Sequence, residues 1–157
     1  MSMSGITVQD DIVKTFEDMK MNKTYRFLKL TVDGKSVIVQ SKEPRANKAD
    51  DQKSNDEDPS AAEYSTDCEA TLEDNKCGWL IYDMQMSAKS EERHLIFVTW
   101  CPDTANVKDK MITSSTSEYL KKKFNGIKLF VQATDRSELD VHSIRADLQK
   151  KYNKQNF

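Results

Sequence analysis

The chain is short of the residues that most chemistry relies on. Among 157 residues there are four glycines, three prolines, three cysteines and two histidines. The glycines are isolated, so no glycine-rich phosphate loop can form. Cys68, Cys77 and Cys101 are an odd number with no close pair in sequence, which is not a disulfide framework. Two histidines, His94 and His142, beside those cysteines make no recognised zinc spacing. The expectation is three reduced thiols, no metal and no cofactor. Neither charge sign dominates: 24 basic against 26 acidic residues leave a net −2, without the basic excess of a dedicated nucleic-acid binder. No stretch approaches the ~18 apolar residues of a spanning helix. Met1–Gln9 has neither the basic end nor the apolar core of a secretory signal. These absences predict a cytoplasmic protein of one domain.

What remains is patterned. Ile12, Val13, Phe16 and Met19 recur at helical spacing behind Asp10 and Asp11, predicting a helix over Asp10–Met21. Two β-rich runs flank Asp33-Gly34 and predict a hairpin of Tyr25–Val32 with Lys35–Gln40. From Ser41 to Ala62 no large apolar residue occurs, so this stretch reads as a polar surface loop. Asp50–Asp74 holds ten acidic residues and one lysine. A short helix is expected within Glu63–Leu72. Gly78–Met84 and His94–Trp100 are continuous apolar runs, predicting two neighbouring strands covered on both faces. A long helix follows over Asn106–Phe124, then a strand over Lys128–Ala133 and a last helix over Ser137–Tyr152. The order predicts an α/β domain with a mixed sheet covered by helices.

An enzyme constellation is missing. Cys101 and His94 lie near each other in sequence, but a strand would hold them roughly 23 Å apart at ~3.3 Å per residue. The long helix is more informative. Projected at ~100° per residue, Ile112, Thr116, Tyr119, Leu120 and Lys123 form the expected core face. Lys110, Ser114 and Lys121 then point outward, flanked by Met111 and Lys122. Asn106–Lys128 carries six lysines against Asp109 and Glu118. An acidic loop and a basic helix suit a protein partner or an anionic lipid surface better than DNA.

The run Pro102-Asp103-Thr104-Ala105-Asn106-Val107-Lys108-Asp109-Lys110-Met111-Ile112, with Ser114-Ser115-Thr116 and Leu120-Lys121, resembles the signature of the ADF/cofilin actin-depolymerising family. Thr113 is the one departure. Ser4-Gly5-Ile6, Ile81-Tyr82-Asp83, Ile96–Trp100 and Val131–Asp135 extend the likeness across the chain except about 42–62, where this sequence carries extra residues. The resemblance implies a single ADF-homology domain over 1–157. It implies a monomer that is not an enzyme, binds actin monomers and filaments, and severs or depolymerises filaments. By the same resemblance Ser4, Gly5, Lys108, Lys110, Met111 and Ser114 meet the monomer, and Ser4 is the regulatory phosphorylation site. Phosphoinositides would be drawn by Lys108, Lys110, Lys121 and Lys122. Glu92, Arg93, His94 and Lys150 correspond to a filament-side contact, weakened by Glu92 and by Asp147 where members often carry a base. A filament-side-binding or monomer-sequestering relative with weak severing, and a phosphoinositide-regulated adaptor, are the alternatives.

Overall fold

A computed structural model describes residues 6–44, 59–87 and 92–155. Six strands form one mixed sheet, and helices cover both of its faces. The strands are β1 (Thr7–Val8), β2 (Tyr25–Asp33), β3 (Ser36–Pro44), β4 (Gly78–Gln85), β5 (Arg93–Trp100) and β6 (Leu129–Ala133). The helices are α1 (Asp10–Glu17), α2 (Pro59–Thr71), α3 (Val107–Lys123) and α4 (Val141–Gln155).

The sheet runs β1-β3-β2-β4-β5-β6. Its centre is antiparallel: Leu28 pairs with Ile81 across β2 and β4, and Leu80 with Val98 across β4 and β5. Both edges are parallel, β1 on β3 and β6 on β5. The hairpin turns at Asp33-Gly34 as expected, with Gly34 at φ 62°, a conformation that glycine adopts without a Cβ penalty. Each of its strands is longer than predicted, reaching Asp33 and Pro44.

Strand alternation sorts the core into two layers. Leu80, Tyr82 and Met84 of β4 face Tyr64, Cys68 and Leu72 of α2 and Ile144 and Leu148 of α4. Trp79 and Ile81 face the opposite layer, with Ile12 and Phe16 of α1 and Leu120 of α3. Every residue of β4 is buried, which agrees with a strand covered on both sides.

Some boundaries differ from the sequence expectation. The first helix stops at Glu17, and Asp18–Asn22 form a wider π turn that ends at Lys23 with φ 54°. The two-residue strand β1 was not expected. It is too short for any periodicity to show and exists through its pairing with Ser36 and Val37. The polar stretch expected as a loop over Ser41–Ala62 is shorter: Ser41–Pro44 belong to β3, and α2 begins at Pro59. The rest of that stretch lies outside the described residues. The final helix is broken into a 3-10 turn at Arg136–Leu139 and α4, with the side chain of Asp140 accepting a hydrogen bond from the Ser143 amide.

Candidate functional site: the outward face of α3

Helix α3 is built from its cap inward. The Asn106 side chain accepts the Asp109 amide at 2.8 Å, satisfying one of the free donors of the first turn. Asp109 stands in that turn, and Lys121, Lys122 and Lys123 occupy the last, so charge complements the helix dipole at both ends.

The face turned to the sheet is largely hydroxyl. Thr113, Thr116, Ser117 and Leu120 are its buried residues. The Trp79 indole donates to Ser117 Oγ at 2.8 Å, and Ser117 Oγ donates to the Thr113 carbonyl at 2.6 Å. Beyond the C-terminus Phe124 lies 4.7 Å from the Phe16 ring and 6.0 Å from the Phe97 ring. Lys20 of the π turn donates to the Asn125 carbonyl at 3.0 Å, fixing the helix end to the α1 side.

This corrects the projected core face. Thr116 and Leu120 are buried, but Ile112 and Tyr119 are only half-buried and Lys123 is exposed above the Tyr119 ring. The helix is rotated toward Thr113 and Ser117: the Trp79 indole meets the Ser117 hydroxyl, and Cys77 meets the Thr113 side chain. The opposite face shifts with it. Met111 is 66% exposed and sits in the middle of the outward face rather than at its flank. Val107, one turn earlier, is 71% exposed, so two apolar side chains at i and i+4 stand side by side in water. The sequence reading missed Val107. Lys108, Ser114 and Lys122 are exposed around them. Lys110, expected to point fully outward, is half-buried, and its Nζ donates to the Asp103 carbonyl at 2.9 Å. Lys121, also expected outward, is half-buried over the Phe130 ring.

The four lysines named for phosphoinositides do not converge. Lys108 and Lys121 are separated by roughly 20 Å along the axis at 1.5 Å per residue. Ser4 and Gly5 lie outside the described residues, although the adjoining Ile6 is buried and Thr7 is held in the sheet by a 2.8 Å bond to the Lys35 carbonyl.

A second set gathers at the start of β5. Arg93 pairs with Gln85 across the sheet, and burial holds its guanidinium pKa below the ordinary value. His94 is half-buried, and its Nε2 lies 3.2 Å from Glu92 Oε1. Arg93 and His94 line a small pocket with Lys20, Lys23, Lys128 and one carboxylate, Asp83. Helix α4 is drawn to this end of the sheet by Arg145, whose Nε donates to the Gln85 carbonyl at 3.1 Å. Asp147 and Lys150 are exposed further along α4. Arg145 was absent from the sequence reading, since only the fold places it beside β4.

Helices on both faces of this mixed sheet define a domain of ADF-homology type. The model of the cofilin/tropomyosin-type actin-binding proteins matches residues 5–149, and the chain belongs to that family. It is 34% identical over 148 residues to cofilin of Saccharomyces cerevisiae, covering 92% of each chain. Similarity to Cofilin-1A of Dictyostelium discoideum is 33% over 139 residues, covering 87% of this chain and 90% of the relative. Actin-depolymerizing factor 1 of Petunia hybrida is 32% identical over 151 residues, with 92% and 96% covered. Among solved structures, Streptomyces griseoflavus cofilin superposes with a TM-score of 0.75 at 23% identity, covering 93% of this chain and 98% of the other. Coactosin from Entamoeba histolytica gives 0.74 at 14% identity, covering 96% and 99%. Both likenesses concern the fold. Among the described residues no helix is long and apolar enough to cross a membrane.

Proposed function

We propose that this chain binds actin monomers through the outward face of α3, binds filaments through the β5–α4 end, and promotes filament depolymerisation and severing in the cytoplasm. The observation that carries the reading is the exposed pair Val107 and Met111 flanked by Lys108. An apolar ridge costs free energy in water unless a partner covers it, and the neighbouring lysine favours a partner with an acidic rim. The inner face of the same helix is tied down by Trp79 and Ser117, so the ridge is presented without an ordering cost at binding.

Thr113, the departure from the family signature, faces inward, and therefore leaves the binding ridge intact. Ser4 belongs to this reading as the switch: a phosphate would add about −1.5 to −2 charges to a segment that must approach an acidic partner. The test is monomer binding by the double variant Lys108→Ala/Met111→Ala. Loss of at least about tenfold in affinity, or ~1.4 kcal/mol, is expected with unchanged circular dichroism. Parental affinity would show that another surface binds. Filament lengths under microscopy separate severing from side-binding without severing, a distinction that the similar cofilin and coactosin superpositions do not make.

A further inference from the structure

Two thiols separated by 24 residues meet at the root of α3. Cys77 immediately precedes β4, and Cys101 immediately follows β5. Gly78 pairs with Trp100 at the end of this antiparallel ladder, so the next residues outward are Cys77 and Cys101. Their sulfurs lie 2.8 Å apart, and both cysteines are free. Cys77 is buried and Cys101 partly exposed. Burial pushes the Cys77 thiol up to about 12, reinforced by the Cys101 sulfur and opposed by a hydrogen bond with the Thr113 side chain. Cys101 is thus the sulfur that a solvent-borne oxidant reaches first, with Cys77 held as a thiol behind it. The third cysteine, Cys68, is buried in the core layer between α2 and the other sheet face.

We propose that Cys77 and Cys101 are a redox modification site that closes to an intramolecular disulfide when the protein meets hydrogen peroxide. The Cys101 sulfur attacks one peroxide oxygen and the O–O bond breaks. Cys101 becomes a sulfenic acid, and the departing hydroxide takes the thiol proton and leaves as water. Cys77 Sγ then attacks Cys101 Sγ, the S–O bond breaks, and the released hydroxide carries off the Cys77 proton as a second water. Two thiols and one peroxide give one disulfide and two waters; the two electrons lost by sulfur reduce the peroxide. To reach a bond of ~2.05 Å the sulfurs close by less than about 1 Å. Both residues lie beyond the last paired position of the β4–β5 ladder, so the approach disrupts none of its pairs.

The bond reaches α3 by two routes. Cys101 adjoins the turn Pro102–Ala105 that leads into the helix, where the Ala105 amide donates to the Pro102 carbonyl. Cys77 contacts Thr113 on the inner helix face, so a shift of its sulfur on bonding to Cys101 is felt there. Formation of the disulfide is independent of the actin reading, whereas any change in actin affinity rests on it.

The experiment exposes the full chain to hydrogen peroxide at neutral pH, alkylates it under non-reducing denaturing conditions, and maps the digest by mass. A Cys77–Cys101 cross-linked peptide is expected in monomeric protein two hydrogens lighter, with Cys68 alkylated and the bridge reversed by dithiothreitol. Amide hydrogen exchange over Asn106–Met111 should slow at least about threefold in the oxidised form. Cys101→Ser, at a partly exposed position, should retain the fold and abolish the bridge. Oxidation of Cys101 to a sulfinic acid with Cys77 still a thiol would overturn the proposal. So would bridges through Cys68 or between chains, and unchanged exchange would overturn the coupling to α3.

Discussion

Helices α1 and α3 cover the same face of the sheet and are held there by different forces. Helix α1 is conventionally amphipathic: Ile12 and Phe16 are buried, followed by Met19 in the π turn. Helix α3 has a mixed inner face. It buries Thr113, Thr116 and Ser117 beside a single large apolar residue, Leu120, and exposes Val107 and Met111. Apolar burial is non-directional, so α1 is anchored wherever its stripe finds the core. The α3 hydroxyls bond only at set distances and angles, which fixes the helix rotation and leaves apolar side chains facing water. The difference shows how a helix can be firmly seated while two of its apolar residues, Val107 and Met111, stay in water.

The largest expected effect comes from breaking the apolar side. Phe16 is fully buried against Phe124, and Phe16→Ala should cost about 3–5 kcal/mol in denaturant unfolding. If stability barely changes, α1 is not the apolar anchor described here.

The opposite face of the sheet supplies a charged contrast to the neutral hydroxyls under α3. Lys29 is 4% exposed, and burial lowers its pKa to about 8 from 10.5, partly offset by Glu73. Its folded pKa lies below the unfolded one, so the unfolded chain binds more protons between pH 8 and 10.5. The lysine therefore costs stability in full below pH 8, and that cost disappears as pH rises toward the unfolded value. Cys68 and Cys77 titrate in the opposite sense above pH 9, because burial raises both. The comparison between parent and Lys29→Met cancels them. The variant should gain up to about 3 kcal/mol on the parent at pH 7, with the advantage shrinking by pH 9. A pH-independent difference would show that the amine stays charged.

The directional side of the comparison is tested by Ser117→Ala. Removing Oγ leaves the buried Trp79 indole N–H without its acceptor, at a cost of about 1–3 kcal/mol. Monomer binding should weaken alongside stability, since the helix loses what fixes its rotation. Stability lost with binding fully retained would mean that the rotation is set elsewhere. The smallest effect is expected at the filament side. Glu92→Lys removes an exposed carboxylate from the Arg93 end of β5 and should raise filament co-sedimentation at low salt by less than about 1 kcal/mol. A decrease would place this turn away from the filament.

Much of the architecture was legible in the residues. Asp33-Gly34 announced the hairpin, two apolar runs announced β4 and β5, and the expected span Asn106–Phe124 matched α3 to one residue at each end. The signature around Lys108–Met111 singled out the helix proposed here as the binding face. The seat of α3 was not legible, because helical projection assumes that apolar residues turn inward. Here Thr113 and Ser117 turn inward instead, toward partners contributed by β4 and by the helix backbone. Lys29 was read as an ordinary strand residue, and nothing nearby in sequence marked its burial. Arg145 became part of the β5 end only once α4 was placed against Gln85.

Periodicity, turn residues and caps act over a few neighbouring residues, so the sequence by itself determined which of the longer segments become strands and helices, and which family signature they carry. Helix rotation, the buried lysine and the meeting of Cys77 with Cys101 depend on groups distant along the chain. Trp79 and Ser117 are 38 residues apart, and the two sulfurs 24 apart, yet each pair is separated by 2.8 Å in space. Only the tertiary structure decided these, because hydrogen bonding and desolvation respond to the atoms that surround a group after folding.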